Sequence, residues 1–261
     1  MTSCEDSLRV WVEAYFREHR RPMSAWQPIL GDAGFRQYYR LDTQPPMLAV
    51  YGTPSVEKHE SFVAIADLLK NGGVAAPEIF AHDFERGFLL VEDFGQALLA
   101  DKLNIDTVDD LYNQCLETLL AIQQCETDLR ILPHYSREVL HQEMQLFTDW
   151  FVPKLLAYPL CAEELALLEG VFKFLTDSAL EQEQVVVHRD FHSRNILYRG
   201  YLAPGVIDFQ DGLVGPMSYD LVSLLRDCYV HWPQQQVYNW ALTYAKKAFN
   251  AGLLQEYDDA Q

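Results

Sequence analysis

The chain contains the stretch His188-Arg189-Asp190-Phe191-His192-Ser193-Arg194-Asn195, which is followed by Ile207-Asp208-Phe209. Three side chains with a carboxylate or amide group, Asp190, Asn195 and Asp208, fall within this region. Each one alone is more typical of a turn, because Asp and Asn side chains bond to nearby backbone groups. Their joint order, with an apolar segment that ends in Asp-Phe, instead favours a site for phosphoryl transfer.

The chemistry of phosphoryl transfer explains this spacing. The transferring group spreads negative charge over its oxygens, so the protein must hold magnesium against nucleotide phosphates while a carboxylate orients the acceptor hydroxyl and takes its proton. Asp190 is the candidate for that carboxylate. Magnesium prefers oxygen ligands and takes only one or two from the protein, and Asn195 with Asp208 supplies such a pair.

Local patterns predict how these side chains are presented. The apolar run Val185-Val186-Val187 is typical of a buried strand that ends at the loop. Residues 196–198 and 205–207 predict the two strands of a hairpin around the turn-forming segment 199–204. Such a hairpin would bring Asn195 and Asp208 together.

Residues 188–197 and 206–211 resemble the Brenner and DFG-type motifs of the aminoglycoside phosphotransferase family, a branch of the protein-kinase-like fold. More narrowly, three further segments resemble the bacterial anomeric kinases of N-acetylmuramate and N-acetylglucosamine: Gly31–Leu41, Gly87–Gly95 and Gly215–Tyr229. The resemblance runs along most of the chain. It implies ATP and Mg²⁺ as cofactors.

The resemblance also implies an α+β, two-lobed protein-kinase-like fold. A small, mostly antiparallel β N-lobe would occupy residues 1–95, and a larger helical C-lobe with the catalytic loop and acceptor site would occupy residues 96–261. The hinge between them would be Glu92-Asp93-Phe94, whose backbone would bond the adenine edge. Such relatives usually continue past a helix like the one predicted to end near Phe249, which raises the alternative of a truncated C-lobe with an incomplete acceptor pocket.

Composition and charge bound the class of partner. The 261 residues are 49% hydrophobic and 13% aromatic, enough for a large core. The formal charge of −18 disfavours nucleic acid and anionic membrane surfaces as partners. Five cysteines without a close CxxC pair predict reduced thiols, with small buried apolar residues as the structural alternative. No apolar run approaches a membrane span and no signal peptide is evident, so we expect a cytoplasmic protein with a small-molecule partner; no oligomeric state is predicted.

Apolar residues at helical spacing predict helices over residues 8–16, 56–70, 108–124, 139–156, 165–175 and 237–249. The residues Asn71-Gly72-Gly73 suit a left-handed cap at the end of the second helix. Short apolar runs predict strands at 47–51 and 87–91, and two shorter ones on either side of Gly31–Gly34.

The phosphate-binding side departs from the usual kinase pattern. Such enzymes place a Lys in the third strand, paired with a helix Glu, but Met47–Tyr51 contains no lysine. The candidate replacements, besides metal alone, are the cations Arg36, Arg40 and Lys58. Glu57 and Glu60 are candidate partners for such a cation, although a solvated helix face also explains each of them. Gly31-Asp32-Ala33-Gly34 is a weak phosphate loop whose backbone N–H groups are its only suitable donors.

Further residues are candidates for the acceptor side. By resemblance, His192 lies near the transferred phosphate and bonds it or the acceptor, with loop stabilisation as the alternative. His188 is expected to anchor the loop, and Asp220, at the start of a predicted helix, to brace it. Candidate sugar contacts are the charged residues Asp211, Arg226 and Asp227. For Arg226 and Asp227, a surface salt bridge is the alternative.

The predicted reaction is transfer of the ATP γ-phosphate to the anomeric hydroxyl of N-acetylmuramate or N-acetylglucosamine, with Asp190 and His192 as catalytic residues. An aminoglycoside or choline-type kinase would share every catalytic residue, and the acidic composition would suit a cationic acceptor. The missing strand Lys and the weak glycine segment keep a nucleotide-binding pseudokinase scaffold open as an alternative of another class.

Overall fold

The N-terminal part of the chain forms an antiparallel sheet that lies between two helices. The computed structural model describes residues 4–23, 25–29 and 36–255. The sheet has five strands in the order β1-β2-β3-β5-β4. The elements of this part are α1 (Cys4–Glu18), β1 (Gln27–Ile29), β2 (Gln37–Leu41), β3 (Met47–Tyr51), α2 (His59–Asn71), β4 (Ile79–Asp83) and β5 (Phe88–Glu92).

Both faces of this sheet are covered, which explains why β3 has an almost continuous apolar sequence. Met47 and Ala49 of β3 lie on the face that packs against α1. Val50 lies on the other face, in the same core cluster as α2. Since successive side chains of a strand point to opposite faces, one short strand contributes to both cores. The predicted strands at 47–51 and 87–91 are confirmed within one residue.

Helix α2 begins later than predicted, at His59. The backbone amides of Val56 and Glu57 donate to the carbonyl of Thr53, so a turn precedes the helix and leaves Glu57 outside it. The predicted left-handed cap is confirmed, because Gly73 has a φ of 80° and the next amide bonds back to the last turn.

The C-terminal part is mainly helical. Its helices are α3 (Val108–Gln123), α4 (Arg137–Leu146), α5 (Ala162–Glu181), α6 (Ser218–Leu225) and α7 (Gln234–Asn250). Gln123 of α3 is buried and connects two neighbours, since it donates to the carbonyl of Met217 at 2.8 Å and accepts from the hydroxyl of Tyr244 at 2.6 Å. A small antiparallel sheet followed by packed helices is the α+β arrangement that was predicted.

The single regular helix predicted over residues 139–156 is wrong. Helix α4 ends at Leu146 and a π-helical segment, Phe147–Leu155, follows it. Pro153 lies inside this segment and has no amide hydrogen for a regular helical bond, which favours a wider turn. The amide of Leu156 accordingly donates to the carbonyl of Phe151, five residues back.

Two short antiparallel strand pairs flank the motif residues. Strand β6 (Gln184–Val187) pairs antiparallel with β9 (Leu213–Pro216), and β7 (Ile196–Leu197) pairs with β8 (Gly205–Val206). The predicted buried strand and the predicted hairpin are both confirmed. The loop between β6 and β7 and the loop between β8 and β9 therefore lie side by side.

No helix in the described part of the chain has the length and apolar character to cross a membrane. All five cysteines are free thiols, as predicted. Cys115 and Cys125 are buried, so the alternative of a small apolar residue fits these two and not the three exposed ones.

Candidate active site

The loop after β6 is held from beneath by Asp220 of α6. Asp220 is fully buried, and its two oxygens accept hydrogen bonds from the amides of His188 at 2.6 Å and Arg189 at 2.9 Å. Burial raises the pKa of Asp220 to about 7 against the effect of these two bonds, and the nearby charge of Asp190 adds to the rise. The predicted bracing role of Asp220 is confirmed.

His188 ties the loop to the segment that carries Asp208. Its Nε2 lies 3.0 Å from the carbonyl oxygen of Ile207, and its Nδ1 accepts from the amide of Asp190 at 3.2 Å. Burial lowers the pKa of His188 to about 4, so the ring is neutral near pH 7 and Nε2 carries the hydrogen. The predicted anchoring role of His188 is therefore confirmed, and the ring positions both carboxylate segments.

A cluster that the sequence did not reveal flanks this loop. Arg189 pairs with Glu143 of α4, and the hydroxyls of Tyr135 and Tyr219 also bond to Glu143. Arg189 has a φ of 82°, a left-handed conformation that is uncommon for a residue other than glycine. The ion pair therefore holds the loop against the helices in an unusual backbone conformation. Glu143 lies far from the motif in sequence, and its surroundings carry no local signal.

The structure brings Asp190, Asn195 and Asp208 together. The Nδ2 of Asn195 donates to the backbone carbonyl of Asp190 at 3.1 Å and lies 3.4 Å from Oδ2 of Asp208. The amide of Ile207 donates to the carbonyl of Asn195 at 3.1 Å, which fixes the two loops to each other. Asp208, like Arg189, has a left-handed backbone, with a φ of 67°.

Asp190 is exposed to solvent on one side, and the partial burial of its carboxyl raises the pKa of that group above its usual value. Burial raises the pKa of Asp190, the charge of Asp208 raises it further, and His192 and Arg189 oppose the rise. A raised pKa makes this carboxylate a better proton acceptor near neutral pH.

The chemistry of the side chains at this site fits magnesium held together with phosphate oxygens and water. Among the described residues there is no group of three or more His, Cys, Asp or Glu side chains arranged to hold a metal ion. Asn195 and Asp208 bring an amide and a carboxylate together from adjacent loops, with Nδ2 of Asn195 3.4 Å from Oδ2 of Asp208. Magnesium is typically held by such a pair together with phosphate oxygens and water.

Arg36, just before β2, is connected to Asp208 through hydrogen bonds to and from Gln210. Its side chain is only 8% exposed. Its Nε lies 2.8 Å from Oε2 of Glu57, so the two side chains form an ion pair, although the Nε hydrogen is not aligned for a hydrogen bond. The guanidinium lies over the ring of Phe62, with its central carbon 5.0 Å from the ring centre. Its Nη2 is buried without a hydrogen-bond partner among the residues that the structure describes. Such an orphaned donor is expected where an anion binds.

Arg36 and Glu57 thus form an arginine–glutamate pair at the front of α2, while Glu60 lies exposed on the helix. The glycine segment Gly31–Gly34 lies outside the described residues.

Lys58 is placed differently from Arg36. Its Nζ lies 2.6 Å from Oδ1 of Asp211, and the two side chains are 62% and 36% exposed. This pair joins the segment just before α2 to the loop after Asp208, but solvent screens it. Asp211, a predicted sugar contact, is therefore engaged by a cation of the N-terminal part.

The predicted hinge is braced by its own side chains. Arg40 pairs with Asp93 through two contacts, and its Nη2 also donates to the carbonyl of Gly95 at 3.3 Å. The amides of Glu92 and Asp93 donate to the carbonyls of Glu78 and Pro46. The side chains of Arg40 and Asp93 thus hold the segment in shape, and the guanidinium of Arg199 stacks on Phe94, 4.1 Å from its ring centre.

The structure gives Asp227 a different role from the predicted sugar contact. Asp227 is buried, and its oxygens accept from the amides of Ser193 and Tyr229, both at 2.8 Å. Its carboxylate faces inward and, like that of Asp220, braces the loop after β6. Arg226 lies exposed at the end of α6.

The side chain of His192 lies between Asn195 and Tyr229. Its Nε2 is 3.4 Å from Nδ2 of Asn195, and its ring packs edge-on against Tyr229 at 5.3 Å. Its Nδ1 is buried and, among the described residues, has no hydrogen-bond partner. The position next to both Asp190 and Asn195 is compatible with either predicted role, phosphate contact or loop support.

Residues 25–259 match the sequence model of the phosphotransferase enzyme family, APH. The chain belongs to this family. The two-lobed fold and the kinase chemistry that the motifs predicted are those of APH phosphotransferases, so the predicted resemblance is confirmed.

Curated relatives of this APH chain carry a more specific name. A protein of Pseudomonas aeruginosa is 39% identical over 227 residues, which cover 87% of this chain and 67% of the relative. A protein of Pseudomonas putida is 35% identical over 255 residues, which cover 94% of this chain and 74% of the relative. Both are named N-acetylmuramate/N-acetylglucosamine kinase. Roughly a quarter to a third of each relative has no counterpart in the matched part of this APH chain.

Solved structures agree on the fold of the APH family. An ADP-bound aminoglycoside phosphotransferase, APH(2'')-Ib, matches with a TM-score of 0.66 and 18% identity over 92% of this chain and 83% of that one. The choline kinase LicA from Streptococcus pneumoniae matches with a TM-score of 0.58 and 12% identity over 97% and 94%.

Proposed function

We propose that this APH phosphotransferase transfers the γ-phosphate of ATP to the anomeric hydroxyl of N-acetylmuramate or N-acetylglucosamine. The observation that carries the proposal is the convergence of Asp190, Asn195 and Asp208 in a chain that is 35–39% identical to relatives named as kinases of these sugars. The first part supports the chemistry, and the second supports the acceptor.

Asp190 is proposed as the base that orients the sugar O1 hydroxyl and takes its proton. Its backbone is fixed by His188 and Asn195, which sets the position from which the carboxylate extends. Burial raises the pKa of Asp190, which makes the carboxylate a stronger proton acceptor. An anomeric hydroxyl is more acidic than an ordinary alcohol, so a moderately basic carboxylate suffices.

Asn195 and Asp208 are proposed to hold Mg²⁺, which neutralises the charge that develops on the transferring phosphoryl group. Their two loops are joined by a backbone hydrogen bond, so both oxygen donors are presented together. His192, beside Asn195, is proposed to contact the transferred phosphate or the acceptor.

Backbone groups of the hinge at Phe94 are proposed to bind the adenine edge, since the amides of Glu92 and Asp93 are already used. Asp211 and Arg226 stay proposed acceptor contacts, one paired with Lys58 and the other exposed at the end of α6.

Arg36 is proposed to replace the missing strand lysine as the nucleotide-phosphate cation. We expect Arg36→Met to weaken ADP binding about ten-fold, or about 1.4 kcal/mol, because a buried charge-assisted contact is lost. The same substitution at Lys58 removes an equal charge from an exposed pair and should change affinity less than about two-fold. Calorimetric titration of both variants, with thermal melting to confirm folding, measures the difference. Equal losses at the two positions would contradict the assignment of Arg36.

A substrate panel tests the proposed function. ADP release is measured with N-acetylmuramate, N-acetylglucosamine, choline and an aminoglycoside, each with and without magnesium. We expect turnover only with magnesium, a preference for an N-acetyl sugar, and loss of that turnover when the reducing end is blocked as a methyl glycoside. Equal turnover of the blocked sugar would remove the anomeric assignment, and preference for choline or the aminoglycoside would replace the acceptor. ADP release that never exceeds background would favour the scaffold alternative.

A further inference from the structure

Gln210 connects the two sides of the site that bind different groups. It lies two residues after Asp208, and its Nε2 donates to Oδ1 of Asp208 at 2.8 Å. Its Oε1 accepts from Nη1 of Arg36 at 3.2 Å. Both ends of one amide are therefore occupied, one by a proposed metal ligand and the other by a proposed phosphate cation.

The surroundings keep this bridge in place. Phe209, between Asp208 and Gln210, is fully buried and stacks on Phe62 with ring centres 4.9 Å apart. Phe62 also lies beneath the guanidinium of Arg36. One aromatic pair thus lies against both partners of Gln210, because Phe62 contacts Arg36 and Phe209 is the chain neighbour of Asp208.

The bond to Gln210 also orients the carboxylate of Asp208. Oδ1 is held by the amide, while Oδ2 points toward Asn195 at 3.4 Å. Asp208 has a left-handed backbone and an exposed side chain, so little else fixes its rotation. The amide of Gln210 supplies a donor for the carboxylate and an acceptor for the guanidinium at the same time.

We infer that Gln210 is a positioning residue that couples nucleotide binding at Arg36 to magnesium binding at Asp208. This inference rests on the proposed roles of Arg36 and Asp208. Coupling between two ligands is reciprocal. Loss of the Gln210 bridge should therefore reduce the factor by which magnesium raises nucleotide affinity.

The test is calorimetric titration of ADP, with and without magnesium, into the wild type and Gln210→Met. Methionine has similar length and no hydrogen-bonding amide, so it removes the bridge and retains most of the volume. We expect the enhancement by magnesium to fall at least about five-fold, within the usual range of coupling, while metal-free affinity changes less than about two-fold. Gln235→Met, an exposed position on α7, is the matched control and should retain the wild-type enhancement.

A second variant separates positioning from simple packing. Gln210→Glu keeps the acceptor for Arg36 but loses the donor to Asp208. The added negative charge by itself attracts magnesium, so an enhancement below the wild-type value in this variant reports the lost hydrogen bond to Asp208. Wild-type enhancement in both folded variants would overturn the inference, as would a wild type whose ADP affinity does not respond to magnesium. Reduced enhancement in a protein that phosphorylates no sugar would support the inference and remove only the proposed acceptor.

Discussion

Asp190→Asn is expected to lower turnover by about 10²–10⁴-fold, the usual contribution of a general base. The amide has the shape of the carboxylate but cannot take a proton. The neighbours that place residue 190 bond to its backbone, namely His188 to its amide and Asn195 to its carbonyl, so the loop should keep its form. ADP affinity should therefore stay within about two-fold. Steady-state ADP release and calorimetric titration measure the two effects.

The pH profile provides an independent check on Asp190. Since burial and the charge of Asp208 raise the pKa of Asp190, the base is lost to protonation at a higher pH than an ordinary Asp would be. Wild-type kcat/KM should fall on the acid side through a pKa above 3.8, and the residual activity of Asp190→Asn should lack this limb. Asp101→Asn, at an exposed position, is the control and should keep the wild-type profile. Full activity in Asp190→Asn would remove Asp190 from the role of base.

The parts of the site that the sequence predicted are those built from neighbouring residues. Asp190, Asn195 and Asp208 converge because one loop and one hairpin connect them, and a hairpin has few possible geometries. The same reasoning placed β3 and the cap at Gly73, where local patterns of two or four residues decide the conformation. Such predictions need no knowledge of distant contacts.

The parts that could not be predicted depend on residues that are distant in sequence. Glu143 pairs with Arg189, but the apolar pattern of its helix does not predict that contact. Arg36 of the N-terminal part bonds to Gln210 of the C-terminal part, which is also distant in sequence. The sequence offered Asp227 as a sugar contact or a surface salt bridge. Its observed partners are backbone amides, which the sequence does not identify. Without a strand lysine the sequence left several candidate cations, and only the structure distinguishes the buried Arg36 from the exposed Lys58.

Asp208→Ala is expected to abolish the increase in nucleotide affinity that magnesium produces. The variant removes the carboxylate that lies against Asn195 and leaves only the neutral amide of Asn195, which holds magnesium more weakly than a charged carboxylate does. With magnesium present, ADP affinity should fall to the metal-free level, a loss of ten-fold or more when the enhancement has that size. Without magnesium, ADP should bind the variant at least as well as the wild type, because a negative charge that repels phosphate is gone.

These opposite changes distinguish loss of a metal ligand from general damage, which would weaken binding under both conditions. Asp211→Ala is the matched comparison, since it removes a carboxylate close by that pairs with Lys58. It should keep most of the enhancement by magnesium, because the loss of nearby negative charge alone does not remove a ligand. Calorimetric titration of the three proteins at fixed ionic strength decides the matter. If Asp208→Ala retains the wild-type response to magnesium, Asp208 is not a metal ligand, and the cation must be held by Asn195 and the phosphates.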